Sequence, residues 1–239
     1  MGEIVGGIVQ SVEPDYLIIR VPYSNMERFV HRQYEECRVE LVDGRSRTPK
    51  QMGKAWAIMA DIAEWAGYRR NETYDEVYRP FAEDFSLKVA TTLEEKFHFH
   101  LSRADETTAR EFISFLVDFV LENNVPCSAP LYENADDIQR YVYSCVIYRK
   151  CAVCGADRPD LHHAVYRVGM GRNREKINHI GMPCLPLCRK HHMLAHNEGD
   201  KSILQEHHLV TVPIDEKIAT MYKLGSGNEY DEQEEAVNE

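Results

Sequence analysis

Two consecutive histidines, His162-His163, follow a Cys151-x2-Cys154 pair and precede the phrase Leu187-Cys188-x2-His191-His192-x3-His196. Thiolate and imidazole are the donors that take borderline divalent metals, and there is enough of both here for two sites. A metal held mainly by imidazole, with a spare histidine beside it, is a device for making a nucleophile from water. If residues 188–196 open a helix, the advance of about 100° per residue turns Cys188 and His191 to one side. His192 and His196 then share a neighbouring side, roughly 90° away. The first set, Cys151, Cys154, Cys188 and His191, is a Cys3His tetrahedron of two short-spaced pairs, the usual manner of holding structural Zn2+. The second joins His192 and His196 to the His162-His163 dyad. Consecutive residues of a strand point to opposite faces, so one of the two can bind the ion while the other faces a water or a phosphate.

These donors need a scaffold, and the rest of the chain supplies one. At 239 residues and 44% hydrophobic, the protein can bury a sizeable core in one large or two modest domains. Residues 7–12 and 16–21 read as a hairpin turning at Pro14-Asp15, 25–34 as a short helix and 38–42 as a strand closed by Asp43-Gly44. Thr48-Pro49 opens a helix with Met52, Ala55, Trp56, Met59, Ile62 and Ala63 on one face, ending at Gly67. Further helices are expected over 74–88 with a kink at Pro80, 105–123, 135–148 and from Ser202 onward. The alternation Phe97-His98-Phe99-His100-Leu101 predicts a strand with both histidines on its exposed face. His207 and His208 read as surface residues. Composition turns basic and cysteine-rich near Tyr143 to Lys150, which sets the expected domain boundaries at 1–144, 145–225 and 226–239.

Seven cysteines, four of them (Cys151, Cys154, Cys184, Cys188) crowded near histidines, suit a reduced compartment and metal better than disulfides. Cys37, Cys127 and Cys145 read as buried thiols. No apolar run approaches bilayer-spanning length and the first residues lack a signal pattern, so the expected location is cytoplasmic, without a membrane partner. The net charge of -11 is unevenly spread. Residues 227–239 carry six acids and no base, an expected disordered tail, whereas 145–225 hold 12 Lys/Arg against 8 Asp/Glu. The basic portion is the one with the metal ligands, as a phosphodiester substrate requires.

On Cys151-x2-Cys154, Leu161-His162-His163-Ala-Val165 and Leu187-Cys188-x2-His191-His192-x3-His196, the segment resembles the HNH (ββα-metal) nucleases, including the histidine-rich variety of colicin DNases and a phage-type subgroup. The resemblance implies His162, His192 and His196 as ligands of one catalytic divalent ion (Mg2+, Mn2+, Ni2+ or Zn2+). It also implies His163 as the general base. The family's middle Asn falls on Pro183 here, so Asn173, Asn178 or His179 would orient the base, with His179 favoured. The connecting loop Gly169-Met-Gly171-Arg172-Asn173-Arg174-Glu-Lys176 offers Arg172, Arg174 and Lys176 to a phosphate.

Residues from about Val39 to Pro130 resemble the lambda Orf (NinB) recombination mediators, on Arg45-Ser-Arg47-Thr-Pro-Lys50-Gln51, a Trp-bearing helix and Glu64-Trp-Ala-Gly-Tyr68. That resemblance implies single-stranded DNA binding, cooperation with single-strand-binding and strand-exchange proteins, and a homodimer. Arg45, Arg47, Lys50 and Lys54 form a local basic cluster that would meet phosphates. The combined expectation is an α+β protein: an N-terminal mixed helix and antiparallel-strand domain followed by a zinc-stabilised ββα-metal domain. Its function would be metal-dependent DNA endonuclease activity on single-stranded or branched intermediates of phage recombination or replication. The rival from another class is a non-enzymatic mediator with a degenerate HNH module, which should have lost some of His162, His163, His192 and His196. A zinc-finger reader of duplex sequence would leave the extra histidines idle.

Overall fold

The computed structural model describes residues 8–21, 31, 39, 44–89, 99–164 and 177–224. The expected helix at 25–34 and strand at 38–42, the arginine loop and the acidic tail lie outside the described residues, or nearly so. Internal contacts divide the chain into two units, Met1–Val42 and Asp43–Glu239. The first contains the expected hairpin. Strands β1 (Ile8–Glu13) and β2 (Tyr16–Arg20) pair antiparallel from Glu13 with Tyr16 back to Ile8 with Arg20, with an irregularity between Val9 and Ser11.

In the second unit, helix α1 (Pro49–Trp65) starts where the sequence says it should. Thr48 Oγ1 accepts from the Gln51 N–H at 3.1 Å while Gln51 Oε1 accepts from the Thr48 N–H at 2.9 Å. This reciprocal capping box sits beside a Pro that gives up an amide no helix start can use. Ala55, Ile58, Met59, Ile62 and Ala63 line its buried face, and Gly67 takes a φ of 83° just past the end, the left-handed step that favours glycine there. A π-helical turn (Thr73–Tyr78) leads into α2 (Arg79–Val89), with the change of pitch immediately before Pro80. Helix α3 (Glu106–Asn123) is capped by Asp105 and packs Phe112, Ile113, Leu116 and Val117 against α1. Phe112 is wholly buried among Phe85 and Phe99, at ring separations of 5.3 and 4.6 Å.

The strand expected at 97–101 is a correction. Phe97 and His98 lie outside the described residues, but Phe99-His100 is irregular and Leu101–Arg103 forms a 3-10 turn. Phe99 and Leu101 are both buried, as alternation demands. Their amides, however, donate to Ser86 Oγ at 2.9 Å and Tyr78 OH at 3.0 Å, so side chains of the preceding helices do the work of a partner strand.

After a short helix α4 (Leu131–Asn134), Asp137 caps α5 (Ile138–Ile147). The buried face of α5, Tyr141, Val142, Cys145 and Val146, belongs to a core packed against α3 and against the sheet that carries His162 and His163, so one buried cluster runs from Ala55 to Ala219. The compositional boundary near residue 144 falls inside this helix. The sheet is antiparallel in the order β3 (Asp160–His163), β4 (Pro183–Leu187), β5 (Val212–Pro213). Helices α6 (Arg189–Glu198), α7 (Asp200–Glu206) and α8 (Glu216–Met221) complete the unit, α8 capped by Asp215. The class is α+β, and β3, β4 and α6 make the ββα order. No helix of the described residues is long and apolar enough to cross a membrane.

Candidate active site

The two cysteine pairs meet. Cys151 and Cys154 lie in a turn where the Gly155 N–H returns to the Cys151 carbonyl at 2.8 Å with Gly155 at a φ of 69°. The Ala152 N–H ties that turn to the Pro186 carbonyl of β4 at 2.9 Å, so the strand that ends at Leu187 delivers Cys188 to it. Cys188 is the N-cap of α6, and His191 follows in the first turn. The four donor atoms of Cys151, Cys154, Cys188 and His191 lie within 4.8 Å of one another. A tetrahedral ion with metal–sulfur bonds of about 2.3 Å has sulfur–sulfur edges of about 3.8 Å and sulfur–nitrogen edges of about 3.5 Å. Cys154 Sγ to Cys188 Sγ is 3.8 Å, Cys151 Sγ to His191 Nδ1 is 3.5 Å and Cys188 Sγ to His191 Nδ1 is 3.2 Å, so the donor set fits such an ion.

Burial pushes the Cys151 thiol up to about 12, and a bound cation is the partner that would hold it as a thiolate. Cys188 goes the other way. Burial raises it, but the backbone amides of His191 and Lys190 and the thiols of Cys154 and Cys151 outweigh that and leave it lowered. Burial and the neighbouring Lys190 lower His191, favouring the neutral, ligating form. Cys184 stands apart, fully buried on β4 opposite His163, with its thiol pushed up by burial to about 12.

The second set lies on β3 and α6. His162, His192 and His196 each direct a nitrogen into a space where these donors are within 4.8 Å of one another. His192 Nε2 and His196 Nε2 are 3.2 Å apart. Two imidazoles on one tetrahedral ion, with bonds of about 2.1 Å, would stand about 3.4 Å apart, so these residues also fit a shared cation. His162 is 4% exposed and His196 lies on the surface, so the cluster opens to one side.

His163, the next residue on β3, turns to the opposite face, where its Nε2 is 2.9 Å from His179 Nδ1. His179 is 2% exposed and heads a turn in which the Met182 N–H donates to the His179 carbonyl at 3.1 Å, with Gly181 at a φ of 83°. The Gly181 amide is fastened to the Ile214 carbonyl at 2.8 Å, so β5 and its flank hold the histidine under the strand. Of the described candidates to orient His163, Asn178 and His179, it is His179 whose ring meets it. Asn178 Oδ1 instead accepts from the Ile180 amide, and Asn173 lies outside the described residues.

Comparison with protein families places this arrangement. A family model described as "Putative HNHc nuclease" matches residues 24–225. The chain belongs to this HNHc nuclease family. Comparison with curated proteins and with solved structures gave no match. The family match runs across both the helical half and the ββα half, as does the shared core.

The basic residues expected to meet nucleic acid differ in what they touch. Arg172, Arg174 and Lys176 lie outside the described residues. Arg47 Nε donates to the Leu101 carbonyl at 2.7 Å, and Lys54 Nζ donates to the Ala135 carbonyl at 2.6 Å and to Asp136 at 3.2 Å, so both are occupied within the fold. Arg45 stays on the surface beside Glu106 at 3.0 Å, and Lys50 is exposed. Sequence reading missed the outer partners of the histidines: Asp160 on His192, Asp200 on His162, and His207, which is half-buried against Tyr132 and near His191. Asp160-Leu-His162 and Gly199-Asp200 immediately after α6 were the available signal, a carboxylate placed beside each ligand-bearing element.

Proposed function

We propose that this HNHc nuclease is a divalent-metal-dependent DNA endonuclease that hydrolyses phosphodiester bonds. The observation that carries the reading is the placement of two adjacent histidines on β3: His162 joins the open imidazole cluster, and His163 stands against a buried histidine partner. Residues 145–225 would form the nuclease module on a structural Zn2+ held by Cys151, Cys154, Cys188 and His191.

His162, His192 and His196 would hold the catalytic ion, which when bound supplies positive charge to the scissile phosphate and to the departing oxygen. His163 does the proton chemistry. Donating its Nε2–H to His179 Nδ1 leaves the lone pair on His163 Nδ1, the nitrogen that takes a proton from water as the oxygen attacks phosphorus. The bond from phosphorus to the leaving oxygen breaks, that oxygen takes a proton from solvent water, and the products are a phosphate monoester and an alcohol, His163 later returning its proton to solvent. His179, held by the turn around Gly181, keeps the base in that tautomer and orientation. Neutral imidazole donors suit Ni2+ or Zn2+ better than Mg2+ or Mn2+, which prefer oxygen.

The finer assignment is to single-stranded or branched DNA, in phage recombination or replication, with single-strand-binding and strand-exchange partners and a homodimer. It rests on the likeness of residues 39–130 to recombination mediators. The surface side chains Arg45 and Lys50, with Arg172, Arg174 and Lys176 of the loop, are the proposed phosphate contacts. The test is incubation of purified protein with labelled single-stranded, duplex and branched DNA across Mg2+, Mn2+, Ni2+ and Zn2+, with His163→Ala as control. Metal-dependent cleavage lost in the variant is the expected result, and full activity in His163→Ala would refute the assignment of the base.

A further inference from the structure

We propose that Asp160 and Asp200 are positioning residues of the histidine cluster, two carboxylates that set the tautomer and orientation of its imidazoles without binding the ion themselves. The inference rests on reading that cluster as a metal site.

Asp160 Oδ2 lies 2.9 Å from His192 Nδ1. A carboxylate only accepts, so the contact keeps the proton on Nδ1 and leaves the lone pair on Nε2. That nitrogen is the one facing His196 Nε2 at 3.2 Å. The bond also joins strand to helix, since Asp160 opens β3 and His192 sits in α6. Asp200 Oδ1 lies 2.7 Å from His162 Nε2 and fixes the tilt of a ring that is 4% exposed, keeping its proton on Nε2 and its lone pair on Nδ1.

Asp200 reaches this place through Gly199, whose φ of 89° and ψ of 149° break the helix between α6 and α7. A Cβ added there would meet nothing within 4 Å, so the requirement for glycine is one of backbone conformation rather than space. Among the described residues, the donors that lie within 4.8 Å of one another are three imidazoles and no carboxylate. Both acids therefore act from outside the ligand set.

Charge gives the arrangement its purpose. Three neutral imidazoles leave a divalent ion uncompensated, and two outer carboxylates answer that charge through the rings and make the rings better donors. Among the described residues no carboxylate joins the three imidazoles, which suits an anionic phosphodiester as the incoming ligand. Asp160 Oδ2 also lies 3.8 Å from the exposed guanidinium of Arg189, a longer and solvent-screened contact beside the 2.9 Å bond to His192.

The test is calorimetric titration of Ni2+ into the full chain already holding its structural ion, for wild type, Asp160→Ala, Asp160→Asn and Asp200→Ala. Each alanine variant is expected to weaken Ni2+ binding by about 10- to 100-fold with bound zinc and circular dichroism unchanged. Asp160→Asn, whose amide oxygen still accepts from Nδ1, should recover part of the loss, which a purely structural role would not predict. Wild-type affinity in both alanine variants would overturn the proposal. So would loss of zinc and fold along with Ni2+, or the absence of any Ni2+ site in wild type. If the wild type binds Ni2+ and the variants weaken it while no DNA is cut, this inference stands and the nuclease reading falls.

Discussion

The two candidate metal-binding sets at the start of α6 are built to different rules. One joins three sulfurs and one nitrogen from the knuckle and the helix cap, four donors that close a tetrahedron. The other offers three neutral nitrogens and opens to the surface, with a histidine pair on the next strand position. A closed anionic set leaves an ion nothing to do but hold segments together, whereas an open neutral set leaves room for water and phosphate. The same helical turn serves both because His191 and His192 are adjacent and point apart.

Breaking the closed set should have the largest effect. Structural zinc in such sets contributes apparent binding free energy on the order of 10 kcal/mol, so Cys151→Ser is expected to unfold the sheet and α6, read as loss of bound zinc and of the cooperative thermal transition. Removing the base should spare the fold. His163→Ala is expected to lower cleavage by about 10²- to 10⁴-fold while the chain still binds both ions, checked by single-turnover nicking beside metal analysis. The partner of the base ranks below it, and His179→Ala should cost about 10- to 100-fold in rate by analogy with other groups that orient an imidazole. An unchanged rate would show that His179 does not orient the base.

The smallest effect lies away from both sets. Asp215 caps α8 through the Ile218 amide at 2.8 Å and accepts from Tyr143 OH at 2.7 Å. Burial raises its carboxyl pKa, but these bonds outweigh burial and hold it below the usual range. Its contribution is therefore present at neutral pH and lost as pH falls below the ordinary carboxylate value of about 3.9 toward its own lower one. Asp215→Ala should cost about 0.5–2 kcal/mol in urea unfolding at pH 7 and progressively less in acid, with metal content and cleavage unchanged.

Much of this was legible because ligand chemistry leaves a spacing. Cys151-x2-Cys154, Cys188-x2-His191 and His192-x3-His196 carried the grouping of donors, and Thr48-Pro49 carried the start of α1. Outer partners leave a fainter mark, a carboxylate two residues before His162 and another just past α6. Asp160 and Asp200 are ordinary surface acids until the fold brings them to a ring, and His207 had nothing to separate it from His208. Alternation misled at Phe99-His100-Leu101 because burying every second side chain does not require a strand when Ser86 and Tyr78 satisfy the amides. The basic cluster of Arg45, Arg47, Lys50 and Lys54 looked uniform in sequence, yet Arg47 and Lys54 find carbonyl partners inside the fold. Short elements such as β5 and α8 escaped because two to six residues carry too little period to read.

The most direct test of the account is a count of metal ions per chain by native mass spectrometry, for wild type and His196→Ala. Two ions in wild type and one in a folded His196→Ala variant would match two independent sites on one helix. A single ion in wild type, or a His196→Ala variant that loses both ions and its fold together, would contradict it.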